Sequence, residues 1–157
     1  MSVLVSKFGG SSMADANGFR RVRALISAPA RARFIVLSAS GRRHCMDDKV
    51  TDLLLLAHAR AAEGGDNRLI LSAIRARYEE IADALSIPMD GLFDSLAADA
   101  AFSRDRAAAQ GERLCAMLFA RYAGLPFVDA AELIHFDARG RVDAAKARAA
   151  LQKKARR

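Results

Sequence analysis

The sequence predicts an α/β fold with a mainly parallel sheet and a large share of helix. Two short apolar segments, residues 3–8 and 33–40, each run into glycine or serine, as buried parallel strands do before the next element. The stretch between them has helical spacing, so strand, helix and strand form a βαβ unit with a right-handed crossover. Aromatic residues make up only 6% of the chain, which favours packed helices over an all-β design.

The first βαβ unit follows from these segments. Residues 3–8 are predicted to form a buried strand, and residues 33–40 a second one that runs into a turn at residues 38–41. Between them we expect a helix from Ala14 to Pro29, because proline lacks the backbone N–H that a helix interior needs. The apolar face of this helix comprises Phe19, Val22, and Leu25 or Ile26.

Two amphipathic helices are predicted next. The first covers residues 49–63, with Asp47 and Asp48 as candidate N-caps, and the second covers residues 67–85. Their core-facing residues are expected to be Val50, Leu53, Leu54, Ala57, Ala61, Leu69, Ile70, Ala73, Ile74, Tyr78, Ile81 and Leu85.

A shorter helix is predicted near residues 90–100. Another begins around Ser103, is interrupted at Gly111 and ends at a Gly124 cap.

The end of the chain is predicted to be more irregular. One or two short strands are expected at residues 126–129 and about 132–136, followed by a turn at residues 137–140. Asp143 opens a last helix that runs to Arg157. The chain shows no internal repeat and no linker, so we interpret it as one α/β unit.

Charge and cysteine content restrict the classes of function. The net charge of +7 permits an anionic partner, but no stripe of interleaved basic and aromatic residues predicts a nucleic-acid groove. No apolar run approaches the roughly 20 residues that a membrane span needs. Cys45 and Cys115 lie far apart, so we expect reduced thiols in a cytoplasmic protein, with Cys115 in the core. His44, His58 and His135 have no partners at metal-ligand spacing, so no metal site is predicted.

The segment VSKFGGSSM, residues 5–13, predicts a phosphate site. At the carboxyl end of a strand, Gly9 and Gly10 let the backbone approach a ligand while their N–H groups form an anion nest. The helix that follows adds partial positive charge, and Lys7 adds a full one. The order of residues is not that of a Walker P-loop, and no GxGxxG fingerprint is present. Taken without its neighbours, Lys7 would be interpreted as a strand-end lysine that reaches solvent.

This segment resembles the opening signature of aspartate kinases, in the amino-acid kinase family. Three further segments follow in the family's order: IVLSASGRRHCMDDKVTDLL at residues 35–54, GERLCA at 111–116 and FVDAAELI at 127–134. The resemblance covers essentially the whole chain. It implies a three-layer α/β/α sandwich with a mainly parallel sheet.

The resemblance also implies a reaction. ATP, bound with Mg²⁺ as a substrate complex, would phosphorylate the side-chain carboxylate of L-aspartate to give 4-phospho-L-aspartate, the first step toward lysine, threonine and methionine. No tightly bound metal is expected. One anion must attack another in line, so catalysis would rest on charge neutralisation and positioning.

The phosphate-side residues that the resemblance implies lie after the first strand. Lys7 would be the catalytic residue, stabilising the transferring phosphoryl group. Gly9 and Gly10 would offer backbone N–H groups to phosphate oxygens, while Ser11 and Ser12 would donate hydroxyls to phosphate or substrate.

The other implied contacts come from later segments. Ser38, Ala39 and Gly41 would line the phosphate side, and Thr51 would contact aspartate. Glu112 would meet the substrate's amino group, a charge-assisted contact that selects an amino acid over a plain dicarboxylate. The loop residues whose role stays open are Arg42, Arg43 and His44.

Nothing in residues 137–157 matches the family's later glycine-rich strand or its RGGSD motif. We therefore expect residues 1–157 to be the amino-terminal, aspartate-side portion of a catalytic domain, without the nucleotide half and the regulatory ACT domains. The isolated chain is expected to have little or no kinase activity. An open sheet edge would favour association with itself or with a complementary half.

Two alternative functions remain at this point. The chain could belong to another amino-acid kinase, acting on glutamate or N-acetylglutamate, although the combination of KFGGSS and GERL favours aspartate. It could instead be a non-catalytic binding or regulatory module that uses its basic charge to hold an anion or a partner.

Overall fold

A parallel βαβ unit opens the chain. The computed structural model describes residues 4–27, 32–94, 96 and 103–155. Strand β1 is Leu4–Phe8, helix α1 is Ala16–Ser27 and strand β2 is Ala32–Leu37. The strands pair in parallel, with Phe8 opposite Leu37. Their carboxyl ends therefore lie side by side, and the loops that follow start at the same edge of the sheet.

The first strand is more exposed than the sequence predicts. Leu4 and Val5 are 44% and 59% exposed, so the prediction of a buried strand is wrong for these residues. Parallel strands are buried when other elements cover both faces, and in the described part of the chain β1 pairs with β2 alone. The second strand ends at Leu37 rather than at residue 40, since the Ser38 N–H donates to the Phe8 carbonyl and the chain then turns.

Three longer helices follow the sheet, close to their predicted positions. They are α2, Val50–Ala62; α3, Arg68–Leu85; and α4, Arg104–Ala123. The Gly124 cap of α4 is confirmed by its left-handed backbone, with φ of 67°. The helix predicted near residues 90–100 falls partly outside the described residues; residues 90–94 form turns, and Leu96 is helical. None of the helices in the described ranges is long and apolar enough to cross a membrane.

The core lies among these helices and the sheet. Phe19 of α1 stacks edge-on against Phe119 of α4, with ring centroids 5.5 Å apart. Ile26 packs against the core while Leu25 is 66% exposed, which settles the alternative in favour of Ile26. The predictions for Leu69 and Ala73 are wrong, since both side chains of α3 are exposed, Leu69 to 86%. The largest fully buried side chains are Tyr78, Phe19, Phe119, Met13, Leu54, Ile74, Leu92, Leu114, Leu118, Val22, Val50 and Cys115.

Gly111 does not interrupt α4, contrary to the prediction. A Cβ at this position would lie 2.7 Å from Cβ of Ala39 and 3.4 Å from Cδ1 of Leu54. The Tyr78 hydroxyl donates to the Gly111 carbonyl at 3.1 Å. The glycine therefore allows α4 to pack closely against the loop after β2.

The chain divides into two compact units, Met1–Leu125 and Pro126–Arg157. In the second unit the predicted strands are wrong: the described chain forms a 3-10 turn at Ala130–Glu132, capped by Asp129, and an isolated antiparallel bridge between Phe136 and Val142. Local hydrogen bonds thus replace a strand ladder.

The turn predicted at residues 137–140 is confirmed, because Asp137 accepts hydrogen bonds from the backbone of the residues that follow. Helix α5, Ala144–Ala155, begins after Asp143, whose carboxylate accepts from the Lys146 N–H at 3.0 Å. The predicted end of this helix at Arg157 lies outside the described residues.

Substitution Gly111→Ala is expected to destabilise the protein by about 1–2 kcal/mol. The added methyl overlaps Ala39, an overpacking cost of about 1–3 kcal/mol that exceeds the gain in helix propensity of at most about 1 kcal/mol. Urea unfolding measures the difference. Ala109→Gly, at an exposed position of α4, calibrates helix propensity alone. A Gly111→Ala protein as stable as the parent would contradict the role given to this contact.

Candidate functional site

A pocket of about 410 Å³ lies at the carboxyl ends of β1 and β2, within the first unit. The loop after β1, the loop after β2, the start of α2 and the middle of α4 form its walls. Its volume is in the range of small-molecule sites. The lining residues are Gly10, Ser11, Ser38, Ala39, Ser40, Gly41, Arg42, Lys49, Thr51 and Glu112.

Two of the predicted glycines hold the strand loops against each other. The Gly41 N–H donates to the Gly10 carbonyl at 2.9 Å. A Cβ on Gly41 would lie 2.6 Å from the Gly10 carbonyl carbon, and one on Gly10 would lie 2.8 Å from the Ala39 oxygen. The absence of side chains therefore permits a backbone contact between the loops. The Gly41 N–H is occupied by this bond and is not available to a ligand.

The predicted phosphate-side residues divide into two groups. Gly10 and Ser11 line the pocket, whereas Lys7, Gly9 and Ser12 are not among its lining residues. The Lys7 ammonium lies beside Gly9, the residue that precedes Gly10 of the pocket wall. A Cβ built on Gly9 would be 3.9 Å from the Lys7 Nζ. The Ser12 N–H turns back to the Gly9 carbonyl at 3.0 Å and starts a 3-10 turn.

The remaining predicted residues all reach the pocket. Ser38 and Gly41 line it from the loop after β2, Thr51 from the first turn of α2 and Glu112 from α4. These positions are far apart in sequence, and the packing of α4 against Ala39 brings the last of them to the loops.

Three further lining residues were not assigned from the sequence. They are Ser40, Arg42, whose role was left open, and Lys49. Lys49 immediately precedes α2 and lies two residues before Thr51, so its spacing from a predicted site residue was the signal that could have found it. With Glu112, the pocket offers two cations and one carboxylate. Such a set can bind oxyanions and an ammonium group together.

The loop at residues 41–49 is attached to α3 by charged groups. Arg77 of α3 donates to the Asp48 carbonyl at 2.5 Å, to the Gly41 carbonyl and to the Asp47 carboxylate at 2.6 Å. Arg43 also pairs with Asp47, at 3.0 Å from Nε to Oδ2, and with Glu80 of α3 at 2.6 Å.

The N-caps predicted at Asp47 and Asp48 are wrong. The N-cap residue of α2 is Lys49, without a side-chain cap. The Asp47 carboxylate is already committed to Arg43 and Arg77. The hydrogen bond from Arg43 holds the pKa of Asp47 well below its usual range.

The two cysteines carry free thiols, as predicted. Cys115 is buried in the core, and burial raises the pKa of its thiol to about 12, so it stays protonated and unreactive. Cys45 is exposed in the loop at residues 41–49. Across the described residues, no three His, Cys, Asp or Glu side chains come together as a metal site.

Comparison with known proteins adds the family. Residues 2–155 match the amino acid kinase family. Aspartokinase 3 of Bacillus subtilis is 31% identical over 128 residues, which cover 75% of this chain and 28% of that protein. The chain therefore spans less than a third of the length of this relative.

Solved structures show the same relationship. The aspartate kinase of Clostridium acetobutylicum is 37% identical, with a TM-score of 0.93 over 98% of this chain and 36% of that one. Aspartokinase III of E. coli, in complex with aspartate and ADP, is 27% identical with a TM-score of 0.76 over 99% of this chain and 38% of that one. These matches confirm the predicted α/β fold.

Substitution Asp47→Asn is expected to destabilise the protein by about 3 kcal/mol at pH 7, because it leaves the buried Arg77 charge without its counterion. The folded-state pKa of Asp47 is lowered from 3.8. Its stabilisation is therefore present above about pH 4 and is lost as the pH falls through the folded-state pKa.

The difference in unfolding free energy between parent and variant, measured from pH 7 to pH 2, should decrease as the pH falls below about 4. Asp66→Asn removes an exposed pair with Arg68 and is the matched control, with a small effect at pH 7. A parent-to-variant difference that does not change with pH would contradict this assignment.

Proposed function

The chain belongs to the amino acid kinase family, and we propose that it is the aspartate- and phosphate-binding part of an aspartate kinase. One observation carries the proposal: Glu112, the loop cations and the glycine-held loops after both strands line a single pocket. The similarity to two aspartokinase structures, one of them in complex with aspartate and ADP, supports it. The whole enzyme would use ATP to phosphorylate the side-chain carboxylate of L-aspartate, the first step toward lysine, threonine and methionine in the cytoplasm.

The chemistry requires positive charge between two anions. Lys7, close to Gly9 at the end of β1, would stabilise the transferring phosphoryl group. Gly10, Ser11 and Ser38 would contact phosphate oxygens from the adjoining wall. These groups sit on the ends of paired strands, so their positions are fixed before the ligand arrives.

The amino-acid side of the pocket would be formed by helices. Glu112 would accept hydrogen bonds from the substrate ammonium, and the Thr51 hydroxyl would contact the same molecule. N-acetylglutamate has no ammonium group, so Glu112 disfavours this alternative substrate. Glutamate retains the ammonium and must be distinguished by experiment.

The nucleotide would carry its own metal. Among the described residues, Glu112 is the one carboxylate that lines the pocket, and no acidic cluster is present. Mg²⁺ would therefore be bound by the phosphates of ATP rather than by a set of protein ligands. Positive charge from Lys7, Arg42 and Lys49 would then offset what remains of the phosphate charge.

Glu112→Gln is expected to weaken aspartate binding at least about tenfold and to leave succinate binding unchanged. Succinate differs from aspartate by the missing ammonium, and a hydrogen bond to a charged group contributes about 1.5–3 kcal/mol. Calorimetric titration of both ligands, and of glutamate, measures this selectivity. Glu63→Gln, an exposed glutamate after α2, is the control. Equal affinity of the parent protein for aspartate and succinate would reject the assignment.

Lys7→Met is expected to weaken binding of inorganic tripolyphosphate about tenfold, with a smaller dependence on salt. The side chain removed carries the ammonium that lies beside Gly9. Tripolyphosphate tests the phosphate side alone, because it has no nucleoside. Lys146→Met, an exposed lysine of α5, is the control and should bind as the parent does. Unchanged binding by the Lys7 variant would exclude this lysine from the site.

A further inference from the structure

The loop at residues 41–49 requires an explanation of its own. It has no regular helix or strand, and its residues 42–46 are exposed. Arg42, near the start of this loop, and Lys49, at its end, nevertheless both line the pocket. An irregular exposed segment does not hold two long side chains at a site unless something fixes its backbone.

Arg77 fixes both ends of this loop from α3. Its side chain is only 3% exposed. Its terminal nitrogens reach the Gly41 carbonyl at the start of the loop and the Asp48 carbonyl at its end, and one of them also binds the Asp47 carboxylate. A single planar guanidinium thus bridges positions seven residues apart in sequence, which a point-like ammonium would do less well.

The charges of the loop are divided in a specific way. Arg43 and Arg77 are neutralised by Asp47 and Glu80. Arg42 and Lys49, the two cations on the pocket wall, have no ion pair with any residue that the structure describes. Asp47 and Glu80 are therefore used for the anchorage of the loop, whereas Arg42 and Lys49 line the pocket.

Stability alone does not account for a buried arginine at this position. Replacing a buried ion pair by apolar side chains of similar size is often neutral or stabilising. The Arg77 hydrogen bonds go to the loop rather than to another helix of the core. What they determine is the path of the loop backbone.

We propose that Arg77 is a positioning residue, which holds the loop at residues 41–49 so that Arg42 and Lys49 present their charges to oxyanions in the pocket. The chemical class of the ligand rests on the proposed function above. The position of the loop does not, and it can be tested separately.

Two variants of Arg77 and a control test the positioning role. Arg77→Met removes all the hydrogen bonds, and Arg77→Lys keeps the charge beside Asp47 without the bridge between the two carbonyls. Arg75→Met removes an exposed arginine of the same helix, which pairs with Glu79. Circular dichroism before each experiment establishes that helix content is equal to that of the parent.

Limited trypsin digestion reports the loop directly, because Arg42, Arg43 and Lys49 are themselves cleavage sites. Cleavage at these sites, followed by mass spectrometry, should be at least about tenfold faster in Arg77→Met, intermediate in Arg77→Lys and unchanged in Arg75→Met. Cleavage of Arg77→Met at the parental rate would overturn the proposal. If Arg77→Met does not fold, Arg77→Lys decides by the same comparison.

Titration with inorganic tripolyphosphate reports the consequence for the site. The Arg77→Met protein should bind tripolyphosphate about tenfold more weakly. The double variant Arg42→Met, Lys49→Met should show the same loss of affinity with the urea midpoint of the parent. Parental affinity in the Arg42→Met, Lys49→Met protein would overturn the role given to these cations. A parent protein that binds neither tripolyphosphate nor aspartate would contradict the proposed function, while the cleavage rates would still decide the role of Arg77.

Discussion

Close backbone contact at glycines is the constraint on which the pocket depends. Gly41 lies against Gly10, and Gly111 lies against Ala39, at separations that leave no room for a Cβ. The first contact joins the loops after the two parallel strands, and the second brings α4 to the same place. Because each contact requires the absence of a side chain, the site is specified by what these positions lack as much as by the polar groups beside them.

The electrostatics of the site follow from this arrangement. Glu112 enters from α4, next to the Gly111 contact, while Arg42 and Lys49 enter from the loop that begins at Gly41. A carboxylate and two cations are thus held apart on different elements instead of neutralising one another. For the proposed reaction this separation matters, since an amino acid must be recognised by its ammonium while its carboxylate and the phosphates meet positive charge.

The sequence predicted the local features well and the long-range ones poorly. The βαβ unit and most of the helices follow from hydrophobic periodicity. Resemblance to a family suggested Thr51 and Glu112, which both line the pocket. Gly111 was misread because glycine within a helix can mark either a break or a close contact, and only the neighbouring element distinguishes them. The exposure of Leu4 and Val5 depends on what flanks the strand, which an apolar run does not encode. Short apolar runs in residues 126–136 resembled strands, but the capping carboxylate of Asp129 makes a local turn.

Helix α3 shows why some functional residues cannot be predicted from sequence patterns. It contributes no residue to the pocket wall, yet two consecutive side chains support two different walls. Tyr78 donates to the Gly111 carbonyl of α4, and Arg77 donates to both ends of the loop at residues 41–49. Along the sequence Arg77 is one arginine among several on alanine-rich helices, and its partners are about thirty residues away. Arg77 differs from the solvated arginines in being buried. Burial depends on how the helices pack, so it cannot be recognised from the sequence around Arg77.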